Sequence, residues 1–288
     1  MNIQWYPGHM TKTRRMIEAD LKQVDLVAEI MDARIPIASR NPDIDAIIAG
    51  KPRLMILNRV DQADPEVTKL WRAHFKSLGH AVMECDAKSG NGIKQFSPAI
   101  QSALKEQIIA WREKGQVGRP VRAMIVGIPN VGKSTFINKV AQRKSAKASD
   151  RPGVTRGKQW VHVDKGLDLL DTPGILWPKF EDERIGMHLA FTGAVKDDIL
   201  DVETLAFHFI VFLAEHYPKA LETRYKLKIT EEIEGWILLE QAAKNRGFLI
   251  SGGEFDIERM ARILLDEYRG GKLGRFSLEK PHDLKEGE

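Results

Sequence analysis

Cysteine is nearly missing from this chain: Cys85 is the single thiol in 288 residues. One thiol excludes an internal disulfide framework, and the simplest expectation is a reducing, cytoplasmic setting. Long apolar runs are missing as well. The longest candidate, Leu205 to Leu213, is interrupted by His208 and reaches about half of the roughly 18 residues that a helical membrane span needs. No membrane partner is therefore expected. The opening Met1-Asn2-Ile3-Gln4-Trp5 lacks the basic-then-apolar pattern of a secretory leader, so none is expected. His74, His80, His162, His188, His208, His216 and His282 fall at no metal-ligand spacing. There is no internal repeat and no low-complexity tract. No strong excess of one charge exists either. A net charge of +4 is by itself a weak signal for nucleic acid, and no DNA partner is expected.

What is present reads as globular protein: 43% apolar and 29% charged residues, in a length that suits one large domain or two ordinary ones. Short apolar runs end at polar, chemically useful residues. Val24 to Met31 leads into Asp32-Ala33-Arg34, Arg53 to Leu57 into Asn58, and Ala81 to Cys85 into Asp86-Ala87-Lys88. Val121 to Val126 leads into Gly127. Trp160–Val163 and Leu167–Leu170 resemble a hairpin, whose second member runs into Asp171. Helical patterns lie between, at about Thr11 to Gln23, Pro65 to Leu78, Ile93 to Lys114 and after Lys133. Strands alternating with helices predict an α/β fold with a mostly parallel sheet covered on both faces, with ligands beyond the carboxyl ends of the strands. Gly115 to Pro120 reads as a linker. From Glu181 onward only helical periodicity appears: Glu183–Val195, Val202–His216, Pro218–Tyr225, Glu231–Arg246 and Ile257–Tyr268. Thr230 or Asp256 suits an N-cap and Gly247 a C-cap. The expected domains are 1–178, and 179–288 as an all-helical domain with a frayed tail from Pro281.

Gly127-Ile128-Pro129-Asn130-Val131-Gly132-Lys133-Ser134 fits G-x-x-x-x-G-K-[ST], a loop whose backbone N–H groups turn toward phosphate oxygens at a helix N-terminus. Lys133 would reach the β- and γ-phosphates and Ser134 would ligate Mg²⁺. Asn130, Val131, Gly132 and Thr135 complete the candidate phosphate contacts. Asp171-Thr172-Pro173-Gly174 fits D-x-x-G, with Asp171 holding the metal through water and the Gly174 N–H meeting the γ-phosphate. Thr155, in Arg151-Pro152-Gly153-Val154-Thr155, is either a metal ligand present only with the γ-phosphate or an ordinary loop threonine. Asn58-Arg59-Val60-Asp61 has the spacing of N-K-x-D. There a carboxylate accepts from guanine N1 and N2, donors that adenine cannot supply. Asp86, Ala87 and Lys88 resemble S-A-K, whose Ala N–H meets the base carbonyl. Arg59 for Lys and Asp86 for Ser are departures. GTP and GDP are the expected ligands, with an ATPase as a reading resting only on Arg59. The base reader precedes the phosphate loop, the reverse of the ordinary GTPase order.

These residues resemble the circularly permuted GTPases, and most specifically the ribosome biogenesis GTPase A family. Trp5-Tyr6-Pro7-Gly8-His9-Met10, Asp32-Ala33-Arg34-Ile35-Pro36, the phosphate loop, 151–155 and Asp171 to Pro178 carry the resemblance over nearly the whole chain. It implies a circularly permuted P-loop GTPase domain followed by an all-helical C-terminal domain that contacts rRNA. It also implies a factor in late assembly of the large ribosomal subunit, whose GTP hydrolysis is stimulated by the particle. Ile175 stands where many GTPases have a water-orienting glutamine, so slow intrinsic hydrolysis is expected. His9 is the candidate replacement, or else a surface or packing residue. Asn130 stands where similar GTPases hold a monovalent cation, which makes potassium a candidate cofactor. The cations between Lys139 and Lys158 form either a solvated basic loop or a contact to rRNA phosphates. An alternative function is a GTP-gated protein-interaction module not acting on the ribosome. The tryptophans Trp160, Trp177 and Trp236 read as packing residues.

Overall fold

A parallel strand covered on both faces carries an unbroken apolar run instead of alternation. Strand β1 (Leu26–Asp32) is buried at every position, and β2 (Arg53–Asn58) at all but its first. In the computed structural model, which describes residues 10–48, 50–142, 159–164, 166–172, 182–195, 200–230, 232 and 234–284, these two strands form a sheet with four more. They are β3 (Ala81–Cys85), β4 (Val121–Val126), β5 (Gln159–Asp164) and β6 (Leu167–Asp171), and the order is β3-β2-β1-β4-β6-β5. Neighbours are parallel except β5 and β6, which pair antiparallel as the hairpin pattern predicts. The register sets Asp32 opposite Asn58, Asn58 opposite Cys85, and Ile125 opposite Asp171. The polar strand ends therefore share one edge of the sheet.

From β1 the chain steps outward through β2 to β3, then crosses back to lay β4 on the other side of β1. Loops leaving β1 and β4 diverge at that reversal, which is where open α/β sheets form a ligand crevice. Val27, Met124, Val126 and Leu170 pack against Ile17 and Leu21 of α1 (Met10–Leu21), and Met31, Met55 and Leu57 against Val67, Trp71 and Phe75 of α3 (Pro65–Ser77). A short helix, α2 (Pro42–Ile47), was not expected from the sequence. The expected long helix Ile93–Lys114 is instead a 3-10 turn at Ile93–Gln95, then α4 (Phe96–Ala103) and α5 (Lys105–Glu113). The break falls at Leu104, which leaves helical backbone (φ −108°, ψ 15°) while its side chain stays buried. α5 beyond it buries no residue, so nothing holds it in line with α4. Phe96 of α4 meets Phe136 of α6 (Lys133–Gln142) edge-on, centroids 5.0 Å apart.

The chain divides into two compact units. One comprises the described residues of 10–172 together with 277–284, and the other those of 182–276. The C-terminal segment from residue 277 thus rejoins the sheet unit, and Pro281–Asp283 forms a 3-10 turn where a frayed tail was expected.

The second unit is helical: α7 (Glu183–Phe191), α8 (Val202–His216), α9 (Pro218–Tyr225), α10 (Gly235–Arg246) and α11 (Ile257–Arg269). Asp201 and Asp256 cap α8 and α11 by accepting backbone N–H groups, and Gly247 ends α10 at φ +68°. Thr230 is not a cap. Its hydroxyl donates to the Glu232 carbonyl at 3.0 Å, and α10 starts later, at Gly235. A Cβ on Gly235 would lie 2.6 Å from a Phe207 ring carbon, so a glycine there lets α8 and α10 cross closely. Trp236 packs tilted against Phe207 while 46% exposed, and Trp160 packs beneath Arg122 while 37% exposed, so each packs on one face and meets water on the other.

One carboxylate knits three of these helices. Glu267 of α11 accepts from Arg224 (2.9 Å) and the Tyr225 hydroxyl (2.7 Å) of α9, and from Arg246 (3.1 Å) of α10. Burial alone would raise its pKa; the hydrogen bonds of Arg224 and Tyr225 and the charges of Arg246 and Arg224 outweigh burial and hold it at about 2. Because the folded value is depressed, the stabilisation is complete above the ordinary carboxylate range and is lost as pH falls toward about 2. Glu267→Ala is expected to destabilise the helical unit by about 1–2 kcal/mol, chiefly because the buried Tyr225 hydroxyl loses its acceptor, Arg224 and Arg246 being hydrated. It should also remove part of the acid limb of the unfolding profile, both measured by urea denaturation across pH.

Candidate functional site

Asn58 ends β2 as a side chain only 2% exposed. A buried amide needs partners on both its atoms, and here they come from two other strand ends. Its Nδ2 donates to the Val131 carbonyl at 2.8 Å, and its Oδ1 accepts from the Ala87 N–H at 3.0 Å. The Cys85 thiol also lies 3.5 Å from that oxygen. Burial, then the charges of Asp86 and Asp61, push this thiol up to about 12, so it stays protonated. The loop after β4 fits against Asn58 only because residue 132 is glycine: at φ +98°, a Cβ there would stand 2.5 Å from Asn58 Nδ2. Gly127 is equally constrained, since its Cβ would fall 2.6 Å from the Ile30 carbonyl of β1.

Arg59 follows in the left-handed region (φ 61°), uncommon for a non-glycine residue. Its guanidinium donates to the Asn130 carbonyl at 2.9 Å and lies 3.7 Å from the Asp32 carboxylate. Asp32 in turn is gripped in a fork by Arg34, at 2.9 and 2.7 Å. Burial would raise the Asp32 carboxyl, but Arg34 and Arg59 hold it below the usual range. Asp86 accepts from the Lys88 and Ser89 N–H groups (2.8 and 3.2 Å), two bonds that shape the loop after β3. Asp61 is exposed by surface area, yet desolvation, then the neighbouring Asp86 carboxylate, raise its pKa. Val60 donates its N–H to the Cys85 carbonyl at 3.3 Å.

At the other end of the crevice, Lys133 opens α6 nearly buried, its ammonium 3.2 Å from Asp171 and donating also to the Thr172 carbonyl. The Thr172 hydroxyl donates to the Ile125 carbonyl at 2.6 Å, tying the end of β6 to β4. Ser134 and Thr135 are exposed beside it. A hydroxyl and a carboxylate are hard oxygen donors, a set that fits magnesium and not a soft metal. Among the described residues no group of three or more His, Cys, Asp or Glu could hold an ion. Ser134, directly, and Asp171, through water, are the described residues expected to hold such a metal. His9, Thr155, Gly174, Ile175 and Trp177, and the basic loop beyond Gln142 up to Lys158, lie outside the described residues.

The structure thus brings together Asn58, Arg59, Asp61, Asp86, Ala87, Asn130, Val131, Gly132, Lys133 and Asp171, which the sequence spreads over more than a hundred positions. Sequence reasoning did not assign structural work to Asp32 and Arg34. The available signal was an acid and a base two residues apart at a strand end, on the two sides of a single alanine.

Residues 122–241 match the family model described as 50S ribosome-binding GTPase. A curated relative, "Ribosome biogenesis GTPase A" of Bacillus cereus, is 49% identical over 99% of this chain and 96% of its own length. A GDP-bound YlqF structure covers 93% of this chain and all of its own at 30% identity and TM-score 0.68. A GNP-bound YlqF from T. maritima covers 95% at 29% identity and TM-score 0.65. The fold is that of a circularly permuted P-loop GTPase domain with a helical domain.

Since Asp86 is the like charge that lifts Asp61, Asp86→Asn should lower the Asp61 titration midpoint toward its ordinary value of 3.8. Carbon-detected NMR titration of the Asp61 carboxyl measures this; an unmoved midpoint would leave desolvation as the whole cause.

Proposed function

Because the chain belongs to the ribosome biogenesis GTPase A family, we propose that it hydrolyses GTP as an assembly factor for the large ribosomal subunit. In this reading it docks on the precursor particle and its rRNA in the GTP state and leaves after hydrolysis. The observation that carries the reading is the Asn58 amide, which ties the loops after β2, β3 and β4 into one crevice. With those loops joined, Asp61 stands at one end to accept from guanine N1 and N2, and Lys133 at the other to meet phosphate. Asn58 braces the loops and Arg59 steadies the Asn130 carbonyl; Lys88 offers its stem to the base, while the Ala87 N–H, expected at the base carbonyl, is instead donated to Asn58 Oδ1. Asn130 through Thr135 and Gly174 surround the phosphates. Magnesium, held by Ser134 and by Asp171 through water, with Thr155 joining in the GTP state, would neutralise phosphate charge. Potassium beside Asn130 would add to that neutralisation.

Turnover is proposed to be slow alone, since Ile175 cannot orient water, with His9 supplying that function on the particle. The domains follow the same division, 1–178 for nucleotide and 179–288 for ribosomal contact, with residues 277–284 returned to the first. Among the described residues no helix is long and apolar enough to cross a membrane.

The decisive experiment measures GTPase rates with purified large- and small-subunit particles, in potassium and in sodium, for the parent and His9→Ala. Stimulation confined to large-subunit particles supports the reading, and equal rates with both particles overturn it. Loss of stimulation in His9→Ala, and of rate in sodium, tests the two catalytic assignments separately.

Base recognition makes a second expectation. Asp61→Asn replaces an acceptor carboxylate with an amide that also donates, so GTP affinity should fall by at least about 100-fold while xanthosine triphosphate gains. In the parent, guanine affinity should weaken on acidification, beginning above the pH at which an unperturbed carboxyl titrates, because the raised Asp61 takes up its proton early. Calorimetric titration across pH reads both.

A further inference from the structure

Residues 277–279 are the first of the chain to rejoin the sheet unit after the helical one, and each makes a directed bond to a strand-end loop. The Ser277 hydroxyl accepts from the Asp64 N–H at 3.2 Å. Asp64 is the N-cap of α3, its carboxylate holding the Glu66 and Val67 N–H groups, and it closes the loop that begins at Asn58. The Leu278 N–H donates to the Arg34 carbonyl at 2.8 Å. Glu279, 3% exposed, accepts from the Ile37 N–H at 2.6 Å and the Ala38 N–H at 3.2 Å, while its own carbonyl accepts from the Trp71 indole at 3.0 Å. Surface charges do not bury themselves this way without specific partners. This carboxylate holds the turn that follows β1, and the Trp71 bond seats it on α3.

The two loops so clamped are the ones whose side chains meet over the crevice. The turn after β1 carries Arg34, which grips Asp32; the loop after β2 carries Arg59, 3.7 Å from Asp32 and bonded to the Asn130 carbonyl. Asp61, the candidate base acceptor, lies between Arg59 and Asp64 on the clamped loop. Left-handed backbone at Arg59 (φ 61°) needs such fixing from both sides to persist.

We infer that Ser277 to Glu279 form a strap of positioning residues for guanine-nucleotide binding: they fix the Asp32–Arg34 pair and the far end of the base-reading loop, and through them hold Arg59 and Asp61 in place. This rests on the reading of Asn58 to Asp61 as the base reader. The strap touches no nucleotide itself. The effect of Glu279 passes through the turn after β1 and Asp32 to Arg59, so substitutions at Glu279 and Arg59 are not independent, whereas Ser277 acts through Asp64 on the loop bearing Asp61.

The test uses the full chain with fluorescent GDP, measuring affinity and release rate for the parent, Ser277→Ala, Glu279→Gln, Glu279→Ala, Arg59→Ala and the double variant Glu279→Ala with Arg59→Ala, with thermal unfolding alongside. Glu279→Ala is expected to weaken GDP about tenfold, mostly by faster release, with Ser277→Ala and Glu279→Gln losing less. In the Arg59→Ala background, Glu279→Ala should add at most about a twofold loss. A merely structural strap would lower the melting temperature yet multiply its loss with that of Arg59→Ala, and that result overturns the inference. Unchanged GDP affinity in Ser277→Ala and Glu279→Gln, with Glu279→Ala either unchanged or unfolded, also overturns it. Failure of the parent to prefer guanine over adenine nucleotides would instead defeat the base-reader reading, which separates the two failures.

Discussion

One buried side-chain amide sets the geometry on which the crevice depends. Asn58 sits at the end of β2, and its two polar atoms bind loops leaving β3 and β4. An amide this deep costs roughly 1–3 kcal/mol for each polar atom left without a partner, so the loops are not free to drift from it. Gly132 follows as a consequence: the donor atom of that amide occupies the space in which any side chain at 132 would begin. Gly132 thus answers to the asparagine behind it, and Gly127 to the Ile30 carbonyl of β1.

Around this amide the charges are sorted along the crevice. Asp32, Arg34 and Arg59 compensate one another at the root of the base-reading loop, and Lys133 and Asp171 do so at the root of the phosphate loop. Desolvation and the neighbouring Asp86 carboxylate raise the cost of ionising Asp61, which Arg34 and Arg59 offset only in part. A carboxylate pair at one end and an ammonium at the other make a polar gradient. It suits a ligand with N–H donors at one end and phosphate at the other, and it disfavours the reverse orientation.

The parts of the site legible in the sequence were those in which a short segment must satisfy its own constraint. Gly127 to Ser134 is legible because a strand, a glycine turn and a helix start must follow one another within a few residues. The strand ends were legible because parallel strands are unbroken apolar runs. The chain gave no such sign at Leu104, where helical periodicity continues on both sides and only the depth of the core decides that the helix breaks. The start of α10 was misread: Thr230 is a good cap by composition, but Glu234 is still extended (φ −110°, ψ 107°) and the helix begins at Gly235, where α8 passes close. Residues 277–284 have no periodicity at all. Their place is set by Glu279 finding the Ile37 and Ala38 N–H groups some 240 positions away, a pairing no local pattern encodes.

The permuted order gives these distant contacts a particular meaning. The family model starts at Arg122, so Asn58 to Asp61 lie upstream of the segment it matches, and the sheet unit is completed on both sides of the helical unit in sequence. Two peptide connections follow from that order. The first begins at Thr172, whose carbonyl accepts from Lys133 and whose hydroxyl holds the Ile125 carbonyl at 2.6 Å. The second ends at Ser277, bonded to the N–H of Asp64. One connection thus starts beside Lys133 and the other ends beside the loop bearing Asp61. In an unpermuted chain order, with the base reader after the phosphate elements, a domain appended at the terminus would be joined at one point only. Here Lys133 bonds the last described residue before the helical unit, and Ser277, the first to return, bonds the loop bearing Asp61. The permuted order sets the first connection after the strand that carries Asp171, and the return of Ser277 to Glu279 adds the second beside the loop bearing Asp61.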